Sequence, residues 1–479
     1  MSASLAFAPR PSVRVGSGAD SPVLAITVLG SCGLLVALLQ TMMVPLVPQM
    51  PTLMGVSPAS ASWLITATLV SGAVAAPVLG RLGDMFGKRR MLLVSVWLIL
   101  GASVLAVFAP NFAVLVVARA VQGVSFGVIA LGMSLMRDVL PPAKVGSGVG
   151  LMSSSLGVGG AAGPPLTGLI AEQASWRWLF VAVAAGAVAM LLLVPRFVEE
   201  SRVRTGGRFD ALGAVGLGVV LVCLLLAVSK GTAWGWGSPL TLGLLAVVVV
   251  LGPLWGRHQL RRRSPLVDLR VTARPAVLWT NVATLLLGFA IFATFAMATQ
   301  VLQAPVATGY GHGLSMMVAG VLLLPIGGSM VVFSSVSARI SRMRGPRTTV
   351  VLGCALLVVG NAGFAVLPAS VWLVVGAATV GAIGAALAYS ALPLLIMRAV
   401  PETETAAANS INTLMRQIGT STITAVAAAI GAAYVVDVDG HAFPAASAFT
   451  LCFVAAAVAA LAALVIAART PSPQAAAEA

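Results

Sequence analysis

Charge is scarce in this chain. Of its 479 residues only 9% are Asp, Glu, Lys or Arg, while 59% are hydrophobic. A soluble domain carries about 25% charged residues, and so long a chain with so few has no means of covering its surface in water. A soluble enzyme and a disordered chain are excluded on that ground. Acids are rarer than bases, 13 against 28, for a formal net charge of +15. In a soluble protein such an excess points to nucleic acid. Here the bases sit in short clusters between apolar runs, so no nucleic-acid partner is expected and membrane topology is the better reading. Cysteine and histidine are few as well. Cys32, Cys223, Cys354 and Cys452 all lie inside apolar runs, with no CxxC or Cys/His spacing, and read as small packing residues. His258, His312 and His441 are scattered and form no cluster. No metal and no cofactor is expected, and the absence of a GxxxxGK[ST] loop argues against nucleotide-driven work by this chain.

What the chain has in abundance is long apolar runs. About 20 residues cross the hydrocarbon as a helix. Fourteen such runs are present, at roughly 23–46, 60–79, 91–109, 112–136, 149–171, 178–194, 211–229, 240–255, 277–303, 314–336, 350–367, 371–396, 405–435 and 449–468. They are continuous rather than alternating, which predicts helices and no barrel. The polar stretch before the first run has no A-x-A site, so that run is expected to remain as a span. Loops after even-numbered runs hold nearly all the Lys and Arg; those after odd-numbered runs hold only Arg177 and Lys230. That asymmetry predicts a multi-pass protein of the cell membrane with both termini in the cytoplasm.

A repeat is visible across the chain. GRLGDMFGKRR (80–90) follows the second run and ARISRMRGPRT (338–348) follows the tenth. Without gaps, Arg81 matches Arg339, Gly87 matches Gly345 and Arg89 matches Arg347, while Asp84 is replaced by Arg342. Two basic turns at equivalent places predict a duplicated bundle. The expected organisation is a tail at 1–22, a six-helix bundle at 23–195, a linker at 196–274 with two extra spans, a second six-helix bundle at 275–468 and a tail at 469–479.

The segment Gly80-Arg81-Leu82-Gly83-Asp84-Met85-Phe86-Gly87-Lys88-Arg89-Arg90 resembles the cytoplasmic signature of the major facilitator superfamily, G-x-L-a-D-r-x-G-r-k. Its glycines permit a tight turn, Asp84 is placed to cap a neighbouring helix N-terminus, and its bases are expected to anchor at the inner leaflet. In the fourth run, Arg119-Ala-Val-Gln122-Gly123 resembles the superfamily's motif whose arginine is implicated in proton transfer; a charge at such depth usually faces a cavity. In the fifth run, Gly150, Gly159, Gly163-Pro164 and Gly168 resemble the antiporter signature, with Thr167 where a glycine is expected. Gly159 and Gly163 form a small-xxx-small face and Pro164 is expected to bend the helix. The thirteenth run carries a polar stripe, Asn409, Asn412, Thr413, Arg416, Gln417, Thr420 and Thr424, similar to the asparagine–arginine–glutamine–glycine pattern of 14-span exporters.

The resemblance implies an all-α major facilitator fold of two six-helix bundles plus two inserted spans, fourteen in all. It implies export of small amphipathic organic compounds such as drugs or antibiotics, with protons as the coupling partner; uptake or uncoupled transport by the same fold is the alternative, and a membrane sensor or enzyme a more distant one. The chain is expected to act as a monomer in the lipid bilayer. Gly80, Arg81, Asp84, Gly87, Lys88, Arg89, Gly159, Gly163, Pro164 and Gly168 are the expected gating residues, and Gln40, Arg119, Gln122, Asn412 and Arg416 the expected cavity and coupling residues. One departure is informative: Gln40 stands where the family usually carries an acid, and no carboxylate lies in the middle of any run. A buried cation needs a countercharge, so the chain leans to neutral or anionic substrates. Arg119→Ala is expected to abolish transport while leaving expression and membrane insertion intact; a fully active variant in a vesicle uptake assay overturns that expectation.

Overall fold

The computed structural model describes residues 22–43, 46–366, 370–438 and 441–469. The two expected tails fall almost wholly outside these residues. Lipid offers the backbone no hydrogen-bond partner, so a run of apolar residues closes its bonds internally as a helix. Long helices accordingly cover all fourteen predicted places. They are α1 (Pro22–Thr41), α2 (Trp63–Phe86), α3 (Lys88–Val107), α4 (Phe112–Gln122 continued by Ser125–Val139), α5 (Pro142–Gln173), α6 (Arg177–Phe197) and α7 (Ala211–Trp234). Then come α8 (Pro239–Arg261), α9 (Pro275–Gln303), α10 (Met316–Leu322 continued by Leu324–Arg344), α11 (Pro346–Val366), α12 (Val371–Ala399), α13 (Thr405–Ala433) and α14 (Ala446–Arg469). Among the described residues, twelve of these are both long enough and apolar enough to cross a membrane. The other two, α5 and α13, have the length, at 32 and 29 residues. Their composition is diluted by Gly, Ser, Thr and Asn.

Two large clusters of buried apolar side chains divide the molecule. One is built mainly from α1 to α6 and the other from α9 to α14. Across the seam between them, α2 packs on α13 and α5 packs on α10. A smaller cluster joins Ala73 of α2, Leu217, Leu221 and Leu225 of α7, and Ile411 and Leu414 of α13. Helix α7 therefore lies over the α2–α13 seam, whereas α8 rests chiefly on α7.

The repeated basic turns have the same backbone solution. Gly87 joins α2 to α3 at φ +111° and Gly345 joins α10 to α11 at φ +85°. A single left-handed residue reverses the chain between two helices, and glycine adopts it without a steric penalty. The rest of the motif departs from expectation: Gly80 and Gly83 are not turn residues, because α2 runs on to Phe86. A second departure lies at the opposite end from the basic turns. The described residues include a two-stranded antiparallel hairpin, Val435–Val438 with His441–Pro444, inserted between α13 and α14. It is tied to the loop after α9 by the Tyr310 hydroxyl, which donates to the Pro444 carbonyl at 2.7 Å.

Within the second cluster, α9 and α13 touch backbone to backbone. A Cβ on Gly288 would lie 2.4 Å from the Arg416 carbonyl oxygen, and one on Gly419 would lie 2.0 Å from that of Leu285. Small residues at a helix crossing permit this approach, which in lipid replaces the hydrophobic effect as the source of helix association. Gly419→Val is expected to force α9 and α13 apart and to destabilise the protein by about 1–3 kcal/mol, read as a lower melting temperature in detergent; an unchanged transition contradicts the packing described.

Candidate functional site

Two polar assemblies interrupt the apolar interior. The first sits at the basic end of the seam. Gly80 faces α13 so closely that a Cβ there would lie 2.1 Å from Ser410 Oγ and 2.8 Å from the Ala406 carbonyl oxygen. One turn further, Asp84 reaches the first turn of α13. Its carboxylate accepts from Ala406 N at 3.2 Å and Ala407 N at 2.8 Å. A helix start exposes unpaired N–H groups and a partial positive charge, so a carboxylate there satisfies both. The equivalent Arg342 on α10 is exposed and carries the wrong charge for the same task, so this contact has no counterpart in the repeat.

Lys88 is fully buried in this assembly. Its Nζ donates to Asp138 Oδ2 at 2.6 Å and to Thr405 Oγ1 at 2.8 Å, with Asp84 Oδ1 3.5 Å away. Anchoring to the leaflet is thus not what Lys88 does here, because two carboxylates and a hydroxyl surround it. Arg89 instead ties the chain after α6, its Nη1 donating to the Val198 carbonyl at 2.7 Å while Glu200 accepts from Arg89 N and Arg90 N and so caps α3. The Thr205 hydroxyl donates to the Thr403 carbonyl, adding a contact from the linker to the start of α13. Asp138, Glu200 and Thr205 were not expected from the sequence. Asp138 and Glu200 follow long apolar runs, as ordinary loop acids do; only the proximity created by folding distinguishes them.

The second assembly lies deeper. Arg119 is 1% exposed. Its Nε donates to the Leu64 carbonyl at 3.2 Å, and its Nη1 to the Leu39 carbonyl at 3.2 Å and to Gln122 Oε1 at 2.8 Å. Gln122 in turn donates to Ser103 Oγ at 2.9 Å. The guanidinium thus joins α4 to α1 and α2 through carbonyl oxygens, and no carboxylate lies within 4 Å of it among the described residues. Gln40, beside Leu39, leaves its buried Nε2 without a partner.

Arg416 occupies a different place, on α13 at the seam. Its guanidinium lies 5.1 Å from the ring centre of Tyr389 on α12, in cation–π range. Among the described residues it has no carboxylate within 4 Å. It lines a small cavity with Met133 of α4, Thr284 of α9, Tyr389 and Asn412. Asn412 donates to Asn281 Oδ1 at 3.1 Å and Thr284 Oγ1 at 2.7 Å. The structure therefore brings Asn412 and Arg416 together and keeps Arg119, Gln122 and Gln40 apart from them within the first cluster. The cavity holds about 10 Å³, room for roughly one water. Buried polar atoms with no hydrogen-bond partner gather on these helices: Asn281 Nδ2, Asn409 Oδ1, Ser390 Oγ and both Gln417 side-chain atoms. Tyr389 was missed in the sequence, although a tyrosine in the middle of an apolar run, one of only three in the chain, was a usable signal.

The glycine face of α5 packs on α1. A Cβ on Gly159 would lie 2.3 Å from Ala37 Cβ and one on Gly163 2.0 Å from Thr41 Oγ1, whereas nothing comes within 4 Å of Gly168. The Thr41 hydroxyl donates to the Gly159 carbonyl at 2.8 Å, and Thr167, the departure from the glycine pattern, donates to the Met42 carbonyl at 3.2 Å. α5 passes through Pro164 as one helix.

These features have relatives. A family profile described as "Major Facilitator Superfamily" matches residues 29–424. The chain belongs to the major facilitator superfamily. It is therefore a multi-pass membrane protein of a family of transporters, not enzymes. It is 31% identical over 316 residues, 65% of its length, to a Streptomyces glaucescens protein named "Tetracenomycin C resistance and export protein". It is 27% identical over 376 residues, 78% of its length and 69% of the relative's, to the Mycobacterium tuberculosis "Multidrug resistance protein Stp". The match spans 57% of the Streptomyces protein, and 63% and 50% of two further bacterial relatives, so the chain covers little more than half of these proteins. A crystal structure titled as the human organic anion transporter MFSD10 (TETRAN) shares the fold, with a TM-score of 0.63 at 17% identity over 94% of this chain and all of that one.

The seam contacts yield a direct expectation. With Thr205→Cys and Thr403→Cys introduced as a pair, oxidative cross-linking is expected to be efficient in the otherwise unchanged protein and to fall about 10-fold when Asp84→Asn is added, a loss of roughly 1.4 kcal/mol of closure. Equal cross-linking with and without Asp84→Asn contradicts a closing role for that carboxylate.

Proposed function

We propose that the chain exports amphipathic organic compounds, neutral or anionic in preference to cationic, by alternating access coupled to proton entry. The observation that carries the substrate preference is the Arg416 guanidinium, set over Tyr389 beside a cavity at the seam with no carboxylate within 4 Å. A cation on an aromatic face, with orphaned amides around it, offers charge and hydrogen bonds to an anionic or acceptor-rich ligand; a lipophilic cation finds no countercharge there. Export, rather than uptake, is supported by the printed names of the tetracenomycin and multidrug-resistance relatives.

In this reading the two six-helix bundles rock about the seam, with all fourteen long helices crossing the bilayer and the basic turns and both termini in the cytoplasm. The state described is closed at the basic end, where Asp84 holds α13 and Gly80 lets α2 approach it. Its seam cavity, at about 10 Å³, is far below the 300–1,000 Å³ of a typical ligand pocket. Substrate entry from the cytoplasm then requires Asp84 to leave the α13 N-terminus and α2 to part from α13. Arg119 keeps α1, α2 and α4 in one register during that motion, so that the first bundle moves as a body.

The test is accumulation in whole cells of a panel of cationic, neutral and anionic antibiotics, with and without a protonophore. Expression is expected to lower accumulation of the neutral and anionic compounds, with the protonophore restoring it. Arg416→Ala is expected to lose about 10-fold in efflux of the anionic compounds, and Arg416→Lys to retain part of it. Lowered accumulation of quaternary ammonium compounds alone overturns the substrate reading, and indifference to the protonophore overturns proton coupling.

A further inference from the structure

A second cavity lies at the basic end, away from the one beside Arg416. It holds about 150 Å³. Its walls come from three parts of the chain: Arg81 of α2, the linker segments around Thr205 and Ser264, and Glu404 and Ala407 at the start of α13. Arg81 is 6% exposed, yet among the described residues its side chain donates no hydrogen bond and no carboxylate oxygen lies within 4 Å of it. A guanidinium presents five donors and stays charged; those of Arg81 open into the cavity, where the Glu404 carboxylate offsets its charge without bonding to it. Arg263, exposed at the cavity's edge, and Ser264, whose hydroxyl has no partner, add donors to the same wall. Asp268 also borders the cavity, but its Oδ1 already accepts from Arg270 N and Val271 N, capping the short helix Leu269–Thr272. Glu404 faces the cavity from the other side.

Donors on one wall and carboxylates on another do not suit a fully deprotonated anion. They suit an oxyanion that carries its own proton. We infer that this cavity binds a protonated phosphate group, either hydrogen phosphate or the phosphomonoester head of a lipid, with Arg81, Arg263 and Ser264 donating to its oxygens and Glu404 accepting from its P–O–H. Two charge-assisted contacts from arginine match the geometry of phosphate oxygens. The carboxylate selects against sulfate, which has no proton to give and would be repelled. The bound group touches α2, the linker and α13 together, so it binds only while these are closed on one another, and it stabilises that state by mass action. The inserted linker thereby acquires a role: it completes a ligand site on the closing contact itself.

The test uses the purified full chain in detergent at pH 7, with its thermal unfolding followed at constant ionic strength. Inorganic phosphate is expected to raise the melting temperature saturably and at a midpoint about 10-fold below that of sulfate. Glu404→Gln is expected to bring sulfate up to the level of phosphate, since an amide donates where the carboxylate repelled. Arg81→Gln is expected to remove both effects. Should that variant fail to fold, Arg263→Ala, at an exposed linker position, is expected to weaken the phosphate effect about 10-fold. Nanodiscs then separate the two sources. If phosphatidic acid, but not phosphatidylglycerol, occludes added phosphate, the lipid head is the ligand; if neither does, free phosphate is. No saturable shift with phosphate, equal response to sulfate in the unaltered protein, or an unchanged phosphate response in Arg263→Ala overturns the inference.

Discussion

The hydrocarbon around this protein supplies neither counter-ions nor hydrogen bonds, and the rest of the structure follows from that. Each helix closes its own backbone bonds, and each buried side-chain donor must find its acceptor within the protein. Arg119 meets this demand with two backbone carbonyls and a glutamine oxygen. Lys88 meets it with Asp138, Asp84 and Thr405. Among the described residues some groups do not meet it: Gln40, Ser125, Arg137 and Thr232 are scattered, while Asn281, Asn409, Ser390 and Gln417 leave polar atoms bare on helices that meet around the seam cavity. Apolar packing in lipid gains nothing from keeping bare polar atoms, so their retention points to a site that water or substrate completes.

The same demand gives the contact between α2 and α13 its asymmetry. A helix N-terminus in a low-dielectric setting needs an acceptor and a negative charge, and Asp84 supplies both to α13. The repeat has an arginine in the corresponding position, which no N-terminus accepts. One end of the seam is therefore held by Asp84 on the α13 N-terminus, with Lys88 bound to Asp138 and Thr405 beside it. Around it the linker adds Thr205 on Thr403 and Glu200 on the start of α3. α7 covers the outer side of the same α2–α13 contact with Leu217, Leu221 and Leu225. α7 is thus attached across the α2–α13 contact, not to one apolar cluster alone.

Much of the fold was legible because its cues are local. Apolar runs of spanning length marked the long helices, and the paired glycines Gly87 and Gly345 marked the two one-residue turns. Two elements were misread. The motif from Gly80 to Phe86 is the last two turns or so of α2 rather than a loop, because Gly80 and Gly83 serve close approach to Ser410 and Leu131 instead of chain reversal. The paired strands 435–438 and 441–444 escaped notice because each has four residues, too few for a periodicity to show. At the site, Arg119 and Arg416 stood out as charges within apolar runs, but spacing along one helix says only which face a residue occupies. It does not say that one arginine faces Leu39 and Leu64 while the other faces Tyr389.

The sequence by itself determined that this chain lives in a membrane, that it is helical throughout its spans, and that it belongs among the major facilitators. Those properties follow from the transfer of each segment into lipid and from short motifs, and neither requires knowing what lies opposite. Only the tertiary structure decided which polar groups meet. The Asp84 carboxylate and the Ala406 amide are 322 residues apart in the chain, and a hydrogen bond forms only when its donor and acceptor are brought to about 3 Å. No pattern along the sequence encodes a partner at that separation, so the contact of Asp84 with α13, the isolation of Arg416 and the cavity beside Arg81 emerge only when the helices are packed.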